Sequence, residues 1–229
     1  MAHRNQKTRD AIISVAGPMF GELGYGRVSG KQICEAANVN PAAINYYFHG
    51  MEGLFEELVA ITKRDYFHLE SLADRMRQTE DPERKLFEFV DEIAGIVVTS
   101  SDRLWMAQLS ARELVSPSPF GAPLLDGLQF IISQVKEIAA GLAAPINDEK
   151  LVSRLSIYLF ATTQWLLIVD RPLIRSIFPS LSFADEQRSD LTQSMYTYVS
   201  AGCRALCDQS EVERTRPRAG RVSSRLAQT

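Results

Sequence analysis

The sequence predicts an all-α protein with an N-terminal three-helix helix-turn-helix domain and a larger C-terminal helical domain, about nine helices in total. Apolar residues recur at spacings of three and four along most of the chain, which is the period of an amphipathic helix. No stretch alternates apolar and polar residues as a half-buried strand would. Apolar side chains make up 45% of the 229 residues, which is enough for a packed core.

The first helix is expected from about Thr8 to Leu23, with Gly24 as the left-handed residue that ends it. Pro18 should kink this helix, because its nitrogen cannot donate to the carbonyl of Ser14. Apolar residues at spacings of three and four form one face of this helix: Ile12, Val15, Ala16, Met19, Phe20 and Leu23.

The next segment predicts two short helices joined by a tight turn. Ser29 can cap the first of them, with Gln32 three residues later to complete a capping box. Residues 38–40 form the turn, where Asn40 suits the N-cap and Pro41 suits the first helical position of the second helix. Such a helix-turn-helix usually places its second helix in the major groove of DNA.

The rest of the chain predicts six longer helices and a tail. The helices are expected over residues 52–78, 82–98, 102–114, 123–142, 148–169 and 185–207. From residue 211 the chain is rich in Arg, Ser and Ala without apolar periodicity, which favours disorder. The domains are therefore expected at residues 1–50 and 51–210, followed by a disordered basic tail at 211–229.

The net charge of −3 is unevenly distributed. Residues 1–50 carry +2 and residues 211–229 carry +3, which leaves −8 for the middle of the chain. A small basic domain on an acidic body suits a protein that contacts nucleic acid through its N-terminal part.

The N-terminal segment resembles a known family. AAINYYF at residues 42–48, followed by EGLF at 52–55, resembles the recognition-helix signature of TetR-type regulators. TRDAII at residues 8–13, with MF at 19–20 and GY at 24–25, is similar to the first helix of that family. Further along, SAREL at 110–114 with SP at 116–117 resembles the ligand domain of its CecR-like branch.

The resemblance and the residue chemistry together indicate which side chains would contact DNA. Asparagine can bond adenine, tyrosine hydroxyls and helix N-termini favour phosphates, and an alanine methyl can meet a thymine methyl. Ile44 and Phe48 are instead expected to hold the helix to its neighbours. For the basic residues, ordinary solvated surface remains an alternative. The expected DNA contacts are Arg4, Lys7, Arg9, Arg27, Ser29, Lys31, Asn40, Pro41, Ala42, Asn45, Tyr46, Tyr47 and His49.

Met51 departs from the family pattern, which usually has a lysine at this position that contacts a phosphate. A methionine cannot make a charged contact, so one phosphate clamp is expected to be missing. The slope of affinity against salt concentration should then be lower by about one unit.

An effector site is implied in the C-terminal domain, because ligand pockets combine an apolar lining with a few polar groups. Plain core packing is the alternative for each candidate residue. Arg112 and Glu113 could also form an ion pair with a structural role. The expected ligand contacts are Trp105, Met106, Leu109, Arg112, Tyr158, Gln164 and Trp165.

Several other classes of protein find little support in the sequence. Three cysteines without framework spacing favour a reducing cytoplasm, and Cys203 and Cys207 are expected to be small buried hydrophobes. The longest apolar run, residues 155–169, is short for a membrane span and contains polar residues, so a buried helix is expected. No signal peptide, metal site, cofactor loop or catalytic motif is recognised, so no cofactor and no enzymatic activity are expected.

The resemblance implies a ligand-responsive transcriptional regulator, with repression as the default. It implies a homodimer formed through the last two long helices, a palindromic double-stranded operator and a small apolar effector that releases the DNA. Two alternatives remain open: a DNA-binding regulator without an effector, and a helical metal protein or enzyme.

Overall fold

The computed structural model describes residues 2–66, 70–98, 102–144, 146–169, 171–181 and 183–215. Over these residues the protein has eleven α-helices and two short 3-10 helices and contains no strand, which confirms the all-α prediction. The 3-10 helices are Tyr25–Arg27 and Asp185–Gln187. The α-helices are α1 (Ala2–Leu23), α2 (Gly30–Ala36), α3 (Ala43–Phe48), α4 (Met51–Asp65), α5 (Glu70–Arg77), α6 (Pro82–Val98), α7 (Asp102–Val115), α8 (Ala122–Ala143), α9 (Glu149–Ile168), α10 (Arg171–Ile177) and α11 (Arg188–Thr215).

Two more helices are present in the described part of the chain than the nine expected. The helix predicted over residues 52–78 is two helices, α4 and α5. The second of them is held to α6 by Arg75, which bonds Glu88 at 3.0 Å and Glu92 at 2.8 Å. The other addition is α10, whose second residue is Pro172, a residue type favoured in the first helical turn.

The first helix begins at Ala2, six residues before the expected start. The side chain of Gln6 bonds Asp10 one turn later at 2.8 Å, which supports this added turn. The helix continues through Pro18 to Leu23. Gly24 follows with φ 84° and its N–H bonds the carbonyl of Phe20, so it ends the helix as expected, although its ψ of 164° is extended and not left-handed helical.

The predicted caps of the helix-turn-helix are present. The Ser29 hydroxyl accepts from the Gln32 N–H at 3.3 Å, and the Gln32 side chain accepts from the Ser29 N–H at 3.0 Å. The side chain of Asn40 accepts from the N–H of Ala42 at 2.8 Å. The helix itself starts at Ala43, so Pro41 and Ala42 form its lead-in turn rather than its first residues.

One continuous hydrophobic core runs through both parts of the molecule. In the N-terminal part Ile12, Phe20 and Ile33 are fully buried. The helix α4 packs against α3 at one end and against α7 and α8 at the other, so it belongs to both parts. The larger C-terminal part is formed chiefly by α6, α8, α9 and α11, which pack on one another.

The helix α9 has the length and mean hydropathy (1.3) of a membrane span. It packs between α7, α8 and α11, and its Leu155 and Leu167 are fully buried in that core. One face of α9 is therefore a core face, but only 39% of its apolar window is buried, so the helix that was expected to be buried is only partly so.

The last helix is longer than expected. It ends at Thr215, so residues 211–215 are helical instead of belonging to the tail. Arg214 explains part of the extension, because its guanidinium donates to the carbonyl of Ile146. The remainder of the expected disordered tail, residues 216–229, lies outside the described residues.

The short connection between α3 and α4 depends on Gly53. A Cβ at Gly53 would overlap the carbonyl oxygen of Phe48, because the two atoms would lie far inside van der Waals contact distance. Glycine in a helix interior normally costs roughly 1 kcal/mol relative to alanine, so its presence here indicates a steric requirement.

We expect Gly53→Ala to lower the free energy of unfolding by about 1–3 kcal/mol, because the clash with backbone outweighs the gain in helix propensity. Urea unfolding monitored by circular dichroism measures the change. Gly26→Ala is the matched control, since no atom lies within 4 Å of its added Cβ, and it should leave stability unchanged or slightly higher. Equal stability of the two variants would contradict the steric explanation.

Candidate nucleic-acid interface

The short helix α3 is anchored by one face. Ile44 and Phe48 are buried, as expected, and Ala43 is buried beside them. Phe48 also lies under the guanidinium of Arg9, at 5.5 Å from the ring centre. The opposite face of the helix is thereby held at the surface in a defined orientation.

The exposed face of α3 carries the residues predicted to contact DNA. Ala42, Asn45, Tyr46 and His49 are exposed and recur at spacings of three and four, as does Pro41 just before the helix. Tyr46 is the most prominent of them, with 68% of its surface exposed. The structure therefore brings these five residues together on one surface.

Tyr47 differs from its neighbours because it is only partly exposed. Its hydroxyl lies 3.2 Å from Oδ1 of Asn5 in the first turns of α1, and its ring meets that of Tyr46 edge to face at 4.8 Å. Asn5 was missed by the sequence analysis because α1 was expected to begin after it. The i,i+4 pair of Gln6 and Asp10 was the available signal for an earlier start.

His49 has a structural function in addition to its exposed side chain. Its backbone is left-handed, with φ 60°, and its N–H bonds the carbonyl of Asn45 at 3.1 Å. Gly50 follows with φ 121°. These two residues end α3 and turn the chain into α4.

The basic residues fall into different environments. Lys7 and Arg27 are exposed, and Lys31 is exposed with Glu35 at 3.8 Å. Arg9 is bound to Glu57 of α4 at 2.6 Å, so much of its charge is compensated within the protein. Among the remaining predicted contacts, Ser29 and Asn40 are exposed but serve as caps, and the side chain of Arg4 lies outside what the structure describes.

Met51 packs at the junction of the helix-turn-helix and α4. It is the first residue of α4, and its Sδ would lie 3.3 Å from a Cβ on Gly30 at the start of α2. Where the family lysine would reach a phosphate, this chain has an apolar contact between two helix N-termini.

The seven residues predicted to bind an effector do not meet in one cavity. Trp105, Met106 and Leu109 of α7 are buried in the core. Tyr158 and Trp165 of α9 are instead exposed, by 56% and 58%. Gln164 is buried, and its side-chain nitrogen has no partner among the described residues.

Arg112 and Glu113 are not paired with each other in the described structure. Arg112 donates to the carbonyls of Gly21, at 2.7 Å, and Glu22, at the end of α1. Glu113 is buried and accepts from the N–H of Ser118 at 2.7 Å. Both side chains therefore make structural contacts near the junction of the two domains.

Two hollows in the larger domain differ greatly in size. Between α9 and α11 an open groove of about 880 Å³ is lined largely by apolar and small residues, including Leu155, Leu159, Ala201 and Gly202. A space between α6, α8 and the α4–α5 region has a volume of only about 10 Å³. At this place the described side chains therefore fill the space between the helices.

Of the two α11 cysteines that were expected to be buried, Cys203 is buried and Cys207 is only half-buried. Burial raises the pKa of Cys203 to about 11, so its thiol stays protonated at neutral pH. The pKa of Cys207 is raised for the same reason. Within the described ranges no group of three or more His, Cys, Asp or Glu side chains is placed to hold a metal ion.

Comparisons with known proteins agree with this geometry. Residues 12–58 match the family model of bacterial regulatory proteins of the tetR family. The Probable HTH-type transcriptional regulator YttP of Bacillus subtilis (strain 168) is 34% identical over 86 residues, which are 38% of this chain and 42% of that protein. The matched segment therefore spans less than half of this relative.

Solved structures resemble a larger part of the chain. AibR in complex with isovaleryl coenzyme A and operator DNA has a TM-score of 0.61 at 13% identity, covering 82% of this chain and 96% of that one. A TetR-family transcriptional regulator from Bordetella parapertussis 12822 has a TM-score of 0.58 at 21% identity, covering 82% and 93%. The ketosteroid transcriptional regulator KstR2 of Mycobacterium tuberculosis has a TM-score of 0.59 at 18% identity, and the match covers 85% of this chain and 93% of that one. The chain thus has a TetR-type helix-turn-helix domain and shares its overall fold with these proteins.

We expect Met51→Lys to strengthen DNA binding and to raise the salt slope by about one unit, because the added ammonium can neutralise one phosphate beside the N-terminus of α4. Fluorescence anisotropy at several salt concentrations measures the slope. Gln129→Lys on α8 adds the same charge in the other domain and should leave the slope unchanged. The same slope for Met51→Lys and for the unaltered protein would contradict a phosphate near this position.

Proposed function

We propose that this chain is a TetR-family transcriptional regulator that binds a palindromic operator as a homodimer and responds to a small apolar effector. The TetR-type helix-turn-helix domain and the fold shared with the solved regulators support this assignment. Residues 1–50 would form the DNA-binding domain and residues 51–210 the ligand and dimerisation domain. The SAREL segment at 110–114 further supports placement in the CecR-like branch.

The observation that carries the DNA-binding proposal is the exposed face of α3. Its opposite face is fixed by the buried Ile44 and Phe48, so the exposed side chains are presented on a rigid element. Asn45 and Ala42 are suited to base edges, whereas Tyr46 and Tyr47 are suited to phosphates. Lys7, Arg27 and Lys31 add positive charge, and Arg9 contributes mainly by packing against Phe48.

A second copy of the chain is the proposed occupant of the groove between α9 and α11. Tyr158 on α9 and Tyr198 on α11 line this groove and are more than half exposed, so the groove presents a contiguous apolar surface of the kind that marks interaction sites. Trp165, also on α9, is exposed to the same degree outside the groove lining. Ala201 and Gly202 are small, so a partner helix could approach closely. One recognition helix reads only a few base pairs, and a symmetric pair would read two half-sites.

The DNA upstream of the protein's own gene is the first operator to test, by mobility shift against an equal length of unrelated DNA. We expect preferential binding of the upstream segment, and Tyr47→Ala should abolish it because the Tyr47 ring and hydroxyl support the exposed face of α3. Light scattering should show a dimer for both proteins.

Each outcome bears on a separate part of the proposal. Equal binding to all DNA would argue against a specific regulator. Unchanged binding by Tyr47→Ala would remove Tyr47 from the contacts, and a monomer in solution would overturn the role of the groove.

The open space between the α4–α5 region, α6 and α8 is small compared with the ligands named for some of the solved neighbours. The solved neighbours include a complex with isovaleryl coenzyme A, a ketosteroid regulator and a putative fatty acid metabolism regulator of Clostridium perfringens, which is similar at a TM-score of 0.58. A ligand of such size would need α5 to move away from α6, because only about 10 Å³ is open between the α4–α5 region, α6 and α8. The filled interior equally favours a second candidate, a DNA-binding regulator without an effector.

Thermal unfolding separates the two candidates. We expect a medium-chain fatty acid, as the small apolar probe, to stabilise the protein by about 2.7 kcal/mol when present at 100-fold its dissociation constant. Isovaleryl coenzyme A is tested beside it as an acyl group attached to a charged nucleotide. Coenzyme A without its acyl group is the control for binding through the nucleotide alone. No shift with acyl, fatty acid or sterol probes would support the regulator without an effector.

A further inference from the structure

We infer that Arg112, Glu113 and Trp105 form an interdomain latch that sets the orientation of the DNA-binding domain on the larger domain. This inference rests on the proposed function, and it assigns to the SAREL segment a positioning role in place of the effector contact expected for Arg112. The contacts that carry it lie on both sides of the junction.

The first part of the latch is the close approach of α1 to α7. A Cβ at Gly17 would lie 2.8 Å from the indole ring of Trp105, and one at Gly21 would lie 2.8 Å from the Trp105 carbonyl oxygen. Real side chains are essentially never so close, so only glycines allow this packing. The glycines of α1, which helix propensity disfavours, are thereby explained by a contact with the other domain.

The second part is the bond between Arg112 and the end of α1. The last carbonyls of a helix have no partner within the helix and carry partial negative charge. Arg112 of α7 donates to two of them, Gly21 at 2.7 Å and Glu22. A planar guanidinium can serve two acceptors at once in a fixed direction, which a lysine ammonium does less well.

The third part joins Glu113 to the aromatic cluster of the DNA-binding domain. Glu113 accepts from the N–H of Ser118 and so holds the loop between α7 and α8. Phe120 in that loop reaches across to Tyr25 of the DNA-binding domain, with ring centres 5.3 Å apart, and also packs against Phe55 of the connecting helix α4 at 6.4 Å. Two adjacent residues of α7 therefore stabilise the domain junction: Arg112 bonds the end of α1, and Glu113 holds the loop that carries Phe120.

The latch matters because α4 alone would be a weak constraint on orientation. A single connecting helix fixes the distance between two domains but leaves bending and rotation about it. A second attachment at α1 removes that freedom, so the two DNA-binding domains of a dimer would be held at one separation. Binding to two half-sites depends on this separation, whereas binding to one does not.

Hydrogen exchange tests the latch without DNA. In the full-length protein, Arg112→Met should make the amides around the end of α1 exchange about tenfold faster, while α9 and α11 exchange as before. Arg112→Lys should give an intermediate result, and it keeps the test open if the methionine variant does not fold. Lys136→Met, an exposed cation of α8, is the control and should change neither region. Unchanged exchange at α1 in both Arg112 variants would overturn the inference.

Binding to one and two half-sites separates positioning from a general loss of structure. The upstream segment protected in a footprint, and one half of it, serve as the two probes. Arg112→Met should bind the half segment as the unaltered protein does, but the full segment about tenfold more weakly. An equal loss for both probes, or no loss, would overturn the positioning role. If the unaltered protein binds no DNA while exchange at α1 still responds to Arg112, the proposed function fails and the latch remains.

Discussion

The contact between α1 and α7 determines how the two domains are arranged. It is possible only because Gly17 and Gly21 present no side chains to Trp105. The same approach places Arg112 within reach of the exposed carbonyls at the end of α1. The orientation of the exposed face of α3 therefore depends on a small area where the backbone of α1 lies against the backbone and the ring of Trp105.

The helix-turn-helix itself is built from residues with divided functions. Ser29, Gln32 and Asn40 satisfy backbone N–H groups, while Ile44 and Phe48 attach α3 to the core. Asn45 and Tyr46 on the exposed face of α3 are available to another molecule, because the attachment does not use them. Arg9 illustrates the division, since its ion pair with Glu57 and its position over Phe48 make it part of the support.

The larger domain combines a filled interior with an open outer groove. Arg75 joins α5 to two buried carboxylates of α6, and little volume remains beside them. The groove between α9 and α11 is far larger and is bordered by exposed aromatic residues. In the proposed function the groove receives the partner chain, and an effector has to displace α5 to enter.

The sequence by itself determined the helical class, the two short helices with their caps, the end of the first helix at Gly24 and the burial of Ile44 and Phe48. These features follow from local rules, because capping, φ preference and apolar period act between residues a few positions apart. The departure at Met51 was also visible locally. The packing of Met51 beside Gly30 was not visible in the sequence, because the two residues are distant in the chain.

The tertiary structure alone decided the environments of the other candidates. Arg112 could have faced a ligand or Glu113, and only the packing of α7 on α1 brings it to the carbonyls of Gly21 and Glu22. The sequence predicts Tyr158 and Trp165 as ligand-binding residues of an internal pocket. In the structure both lie on the solvent-exposed face of α9. Such outcomes depend on contacts between residues tens of positions apart, which periodicity within one helix does not specify.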